Sequence, residues 1–172
     1  MKTVVTLLLL ALPALALADS NPDQNFYEHL AQGGMAEVEA GKLAQQHGAS
    51  QAVKDFGAMM VKDHSAANEK LKKLADSKSV KLPEGPSVTQ KAKAKMLEMK
   101  SGSSFDKEYI EGQLKAHEET VELLKKEIDS GKDADAKAFA TEVLPTVEEH
   151  LTKSRQIATD TGVKTANSGS RN

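Results

Sequence analysis

The chain has 172 residues, with 23 Lys and Arg against 25 Asp and Glu, a formal net charge of −2, and no cysteine. This excludes disulfides, thiol catalysis and cysteine-ligated metals. The mixed, mildly acidic balance, with few aromatics, offers no basic stripe for nucleic acid, so no nucleic-acid partner is expected.

The first segment is a charged start, Met1-Lys2, then a hydrophobic run from Val4 to Leu17, closing on Ala16-Leu17-Ala18. These are the n-region, h-region and Ala-x-Ala site of an export signal. A signal peptide is expected over residues 1–18, with cleavage after Ala18, Asp19 as the mature N-terminus, and a periplasmic or otherwise exported location. The apolar run is too short to span a bilayer and is broken by Pro13. No second long apolar run follows, so no transmembrane anchor is expected.

The rest reads as helix after helix. Asn21-Pro22-Asp23 has the form of an N-cap followed by proline, opening a first helix over residues 22–47, with Gly48 as its stop. Gly33-Gly34 should weaken or bend its first half. Ser50 caps a second helix that runs to about Asp76. A turn-rich stretch, 77–86, follows, and Ser87 with Gln90 has the spacing of a capping box for a short helix ending near Lys100. Ser103-Ser104 opens another long helix that ends at Asp129-Ser130-Gly131, and Asp133 caps the last, which reaches Thr161-Gly162. The domains are therefore expected as signal peptide 1–18, a four-helix bundle over 19–162, and a disordered tail 163–172. A monomer is expected, with protein partners left open.

Apolar steps of three and four support the helices. The second carries Val53, Phe56, Met60, His64, Ala67, Leu71 and Leu74. The next long one carries Ile110, Leu114, His117, Val121, Leu124 and Ile128. The last carries Ala136, Ala140, Val143, Val147, His150, Ser154 and Ile157. The first helix is less clean: Ala36, Ala40, Leu43, Ala44 and His47 define its face, with Glu37 about 60° from the centre. Three histidines thus fall on three different apolar stripes. Counted from the turns at about 1.5 Å per residue, Glu37, His64, His117 and His150 lie roughly 17–28 Å along the bundle, near one height.

That convergence is the chemical content of the sequence. Glu37, His64, His117 and His150 are the candidate metal ligands, a set that suits one zinc, iron or copper ion. The alternatives are a metal-free structural or stress-related interaction protein with a buried polar histidine network, and a small-ligand or proton-transfer site at the same cluster. Asp63, next to His64, points elsewhere, as an outer partner or surface group. Pro145 sits one turn before His150 and strips the Thr141 carbonyl of its usual partner, so a kink is expected there. Met60 lies one turn from His64, which raises a copper(I) reading, although methionine is more often core filler. His29 and His47 read as surface or helix-end groups, and Lys91, Lys93 and Lys95 as a solvated face or a membrane-surface contact. No Ser/His/Asp order, phosphate loop or acid pair argues for catalysis, so no catalytic residue is named.

Several segments resemble one family: Met35-Ala36-Glu37-Val38-Glu39, Gly41-Lys42-Leu43-Ala44, Met60-Val61-Lys62-Asp63-His64, Phe105-Asp106-Lys107-Glu108-Tyr109, Ala116-His117, and Leu144-Pro145 through Glu149-His150-Leu151. In this order they closely resemble the bacterial exported proteins grouped as domain of unknown function 4142, from about Asn25 to Ala158. The resemblance implies a ferritin-like fold and export; the family's biochemical role is not established. Its recurrent positions match Glu37, Asp63-His64, His117 and Pro145 with His150. The fold class is therefore all-α, a ferritin-like four-helix bundle with an extra short helix in the long connection between its second and third long helices. A crossover along the bundle and an up-down-up-down order both remain open. Val61, Leu114 and Val147 stand where Glu-x-x-His pairs of di-iron bundles would need glutamate, which argues against ferroxidase chemistry.

Overall fold

Five helices account for the secondary structure of residues 23–163, the part that the computed structural model describes. They are α1 (Gln24–His47), α2 (Gln51–Ser77), α3 (Val88–Glu98), α4 (Gly102–Ser130) and α5 (Ala134–Asp160). The expected signal peptide and cleavage site, and all of the expected tail but Val163, lie outside the described residues.

The caps follow local chemistry. The Ser50 hydroxyl accepts from Val53 N, and Ser87 and Gln90 form the reciprocal capping box. The Asp133 carboxylate accepts from the backbone of Asp135 and Ala136. The expected Asn21 cap lies outside the described residues. Asp23 holds the N-cap position of α1, but its carboxylate accepts from the backbone N–H of Lys132 and of Asp133, at 3.0 and 2.6 Å. α5 ends at Asp160, just short of the expected Thr161-Gly162, but the ordered chain goes one residue further than expected: Gly162, at φ 70°, lets Val163 N–H return to the Ala158 carbonyl at 2.8 Å, and Val163 is buried in the core.

Two carboxylates set the topology. Asp23 ties the start of α1 to the α4–α5 turn, and Asp106 ties the start of α4 to the α1–α2 turn, accepting from Ala49 N and Ser50 N at 2.8 Å each. Hence α2 and α4 start at the same end and run parallel. The chain crosses back along the bundle between them, with α3 in that connection. This is the ferritin-like crossover. Each pair, α1–α2 and α4–α5, packs tightly; α1 lies beside α4 and α2 beside α5 more loosely, with α3 outside against α1 and α4.

The closest approach is between α1 and α2. A Cβ at Gly41 would stand 2.6 Å from the Gly57 carbonyl, and one at Gly57 would stand 2.7 Å from Ala44 Cβ. Backbone contact at this crossing therefore requires glycine on both helices. The buried surface of α1 is wider than the expected face: Phe26, Tyr27, Ala31, Gly34 and Gly41 are buried along with the expected Ala44; Ala40 and Leu43 pack against the core, and Ala36 and Ala40 also border a cleft. Gly34 does not break α1: the Asn68 side chain occupies the place its Cβ would take. Pro145 is likewise carried inside a continuous α5. It and Thr141 face solvent, where water can satisfy the carbonyl that proline leaves unbonded.

The apolar core has two parts, one at each end. One contains Val53, Phe56, Met60, Phe105, Ile110 and Ile157; the other contains Tyr27, Leu71, Leu124, Phe139 and Val147. On α2, α4 and α5 alike, the histidine stands at the change from one cluster to the other. Met60 is core filler here, fully buried.

Candidate metal centre

His64, His117 and His150 form a nearly equilateral triangle, with ring centroids 5.6, 5.3 and 5.4 Å apart. One nitrogen from each ring lies within 4.8 Å of the other two. His117 and His150 are each 1% exposed, and Phe56 closes one side with its ring edge-on to His150 at 6.5 Å.

The hydrogen bonds around the triangle define which nitrogens face it. His117 Nδ1 is 2.9 Å from the Gln113 carbonyl, one turn back on α4. A carbonyl only accepts, so Nδ1 carries the proton and Nε2 keeps its lone pair. His150 Nε2 is 3.1 Å from Asp63 Oδ2. The ionised carboxylate also only accepts, so Nε2–H donates and Nδ1 keeps the lone pair. The buried ring nitrogens without a partner are His64 Nε2, His117 Nε2 and His150 Nδ1. Two of the three rings thus present acceptors and no donor to the shared space, so they cannot hydrogen-bond to each other.

Burial first, and then the neighbouring His117 and His150, hold the His64 imidazole down at about pKa 3. Burial also lowers His150, against the Asp63 hydrogen bond, which pulls the other way. At neutral pH these two rings are neutral, the form in which imidazole binds metals.

Glu37 is not among the converging ligand atoms. Its Oε2 accepts from Gln113 Nε2 at 2.6 Å. Of the four residues expected as ligands, the three histidines converge, while the Glu37 carboxylate is turned toward Gln113 on the neighbouring α4. Asp63 does the equivalent from α2. It lies one residue, about 100°, round the helix from His64, which aims it at α5 and His150. Each carboxylate therefore serves a side chain on the adjacent helix, while the histidines point to the middle.

An open cleft of about 1060 Å3 borders the triangle, with Ala36, Ala40, Leu97, Tyr109 and Gln113 among its walls. Tyr109 OH and Gln113 Oε1 are buried without partners. Burial, with the Glu37 charge adding to it, raises the Tyr109 hydroxyl well above its usual range, so it stays protonated. Neither Tyr109 nor Gln113 was singled out from sequence. Their signal was available: Tyr109, Gln113 and His117 are spaced i, i+4, i+8 on one face of α4.

The family model for a domain of unknown function, DUF4142, matches residues 11–157. The chain belongs to that family. A crystal structure from Streptomyces coelicolor, described as a secreted DUF305 protein, is similar at TM-score 0.70, covering 84% of this chain and 96% of that one at 13% identity. At that identity the likeness shows the fold alone. No curated protein matches the chain. Within this DUF4142 fold, His29 is exposed and bonded to the Asn25 carbonyl, and His47 lies at the end of α1 against Phe105, so neither joins the centre. Among the described residues no helix is long and apolar enough to cross a membrane.

Proposed function

We propose that this protein binds one divalent transition metal ion, zinc, copper or iron by ligand type, through His64, His117 and His150. The observation that carries this reading is the set of three buried, converging nitrogens, two of them on rings whose outer bonds are already made. An imidazole whose far N–H is held by a carbonyl or carboxylate is the usual arrangement behind a metal ligand, because it fixes both tautomer and aim. Ideal tetrahedral bonding at about 2.0–2.1 Å would bring the nitrogens to about 3.4 Å apart, within reach of the present separations of at most 4.8 Å by small side-chain shifts. Glu37 and Asp63 supply nearby negative charge for the cation without joining the ligand set. In a metal-free network a proton or a water would have to bridge these facing acceptors.

Export supports this assignment of place, with metal acquired outside the cytoplasm. It rests on the residue pattern of positions 1–18 and is in keeping with the secreted description of the Streptomyces coelicolor protein. Mass spectrometry of the protein from the cell envelope should find Asp19 as its first residue; a full-length cytoplasmic species would contradict export.

The metal reading is tested by melting temperature. At a hundredfold excess over Kd, one divalent metal should raise it by about 5–10 °C, because it stabilises only the folded chain. The gain should vanish in His117→Ala. No gain with zinc, copper or iron, or the same gain in the variant, would overturn the reading.

A further inference from the structure

The large hydrophobic side chains exposed among the described residues are Val88, Met96 and Met99, at 86%, 61% and 87% exposure. All three belong to α3 or its C-terminal cap. On a 100° helical wheel Val88, Met99, Ala92 and Met96 fall within a sector of about 80°, and Ala92 is exposed as well. Lys95 and Lys91 flank this sector on one side and Lys93 on the other. Glu98 lies behind Lys91. The opposite side of α3 carries Leu97, which is buried in the core. The helix is therefore anchored by one face and offers a second apolar stripe, edged with cations, to the outside.

Two features identify what would cover the stripe. Lys91, Lys93 and Lys95, like several other surface lysines, form no ion pair among the described residues; what sets these three apart is that they edge the exposed apolar stripe. Their charge is thus available to an anionic partner. Val88, Ala92 and Met99 are exposed on the outside of a single helix and do not line the open cleft, while Met96 stands at its edge. A stripe of this kind suits a yielding, flat surface, into which methionine and valine can sink while the lysine ammonium groups stay at headgroup level. We propose that α3 is a peripheral membrane contact that lays Val88, Ala92, Met96 and Met99 on an anionic lipid surface. This is independent of whether the histidine centre holds a metal.

The test uses the protein purified after export and vesicles of phosphatidylglycerol with an equimolar share of phosphatidylcholine. Co-sedimentation should show binding that falls by about tenfold or more on pure phosphatidylcholine, and again in about 1 M NaCl, where the Debye length is about 3 Å. Val88→Glu with Met99→Glu, and separately Lys91→Glu with Lys95→Glu, should each weaken binding by a similar factor. Circular dichroism and melting should stay unchanged, because all four side chains are exposed. The chain has no cysteine, so Met99→Cys carries one environment-sensitive dye. Its emission should shift to the blue on the anionic vesicles, while a dye at Ala138→Cys on α5 should not respond. Three outcomes would overturn the proposal. One is no binding to the anionic vesicles, or binding kept in the Val88→Glu and Met99→Glu variant. Another is a dimer that this variant dissociates, which would make a second copy the occupant. The last is capture of soluble polyglutamate without vesicle binding, which would make an acidic protein the occupant.

Discussion

The ends of the bundle and its middle both bury polar groups, but in opposite ways. At the ends, Asp23 and Asp106 each accept two backbone N–H groups from the turn of the opposite hairpin. Their charge is used up in joining the two halves. In the middle, the outer nitrogens of His117 and His150 are bonded to protein groups, while the inner ones converge on a shared space and accept from no protein donor. A buried polar group that serves only the fold is normally satisfied by the fold. Under the metal proposal, this contrast is the difference between polarity used to join the fold and polarity kept for a ligand, and it would account for the polar layer between the two apolar clusters.

The largest effect should come from breaking an end clamp. Asp106→Ala leaves two backbone donors without their acceptor and should destabilise the protein by about 3 kcal/mol in urea unfolding. An effect below about 1 kcal/mol would mean that the clamp contributes little to joining the hairpins.

Asp63→Asn acts on the middle instead. It keeps the shape beside His150 but removes the carboxylate that fixes the ring's proton on Nε2. Metal affinity should fall by about 10–100-fold, read by calorimetric titration, with only a small change in metal-free stability. Unchanged affinity would show that Asp63 does not orient the ligand.

The two regions should also answer pH with opposite signs. His64 and His150 have folded pKa values below that of the unfolded chain, so below about pH 6.5 the unfolded state takes up protons that the native state refuses. Stability should therefore fall as pH drops, by about 1.4 kcal/mol per pH unit for each such histidine, and for His64 down toward about pH 3. His64→Asn should flatten that slope. At the Asp23 end, burial, then Asp23 and Asp133, raise the Glu127 carboxyl. Here the native state holds its proton longer, so this contribution weakens as pH rises through the ordinary glutamate range. Glu127→Gln should raise the melting temperature at pH 7 by about 2 °C, the smallest of these effects, and the gain should shrink in acid. A pH profile with the same sign for both sets of variants would remove the distinction.

Much of this was legible in the sequence. Steps of three and four on α2, α4 and α5 gave the helices, and the same steps carried His64, His117 and His150 to one height, because helical period and turn position are local properties. What lay beyond reach depends on which helix lies beside which. Asp63 and Glu37 reach His150 and Gln113 only because α2 borders α5 and α1 borders α4. The buried face of α1 was read only in part for a related reason: Ala40, Leu43 and Ala44 pack as expected, but Gly41 and Gly57, which carry no hydrophobic signal, decide how closely α1 and α2 approach. Asp23 resembled part of a local cap, and its true partners are more than a hundred residues away.

The central claim concerns the three inward nitrogens. The most direct measurement is cobalt(II) titration of the protein, followed by visible absorption, since nitrogen-rich four- or five-coordinate cobalt absorbs far more strongly than the hydrated ion. Saturation at one cobalt per chain, with an intense band lost in His64→Ala, His117→Ala and His150→Ala alike, is the result expected of a three-histidine centre. A spectrum no different from that of free cobalt, or an intense band that survives in all three variants, would contradict it.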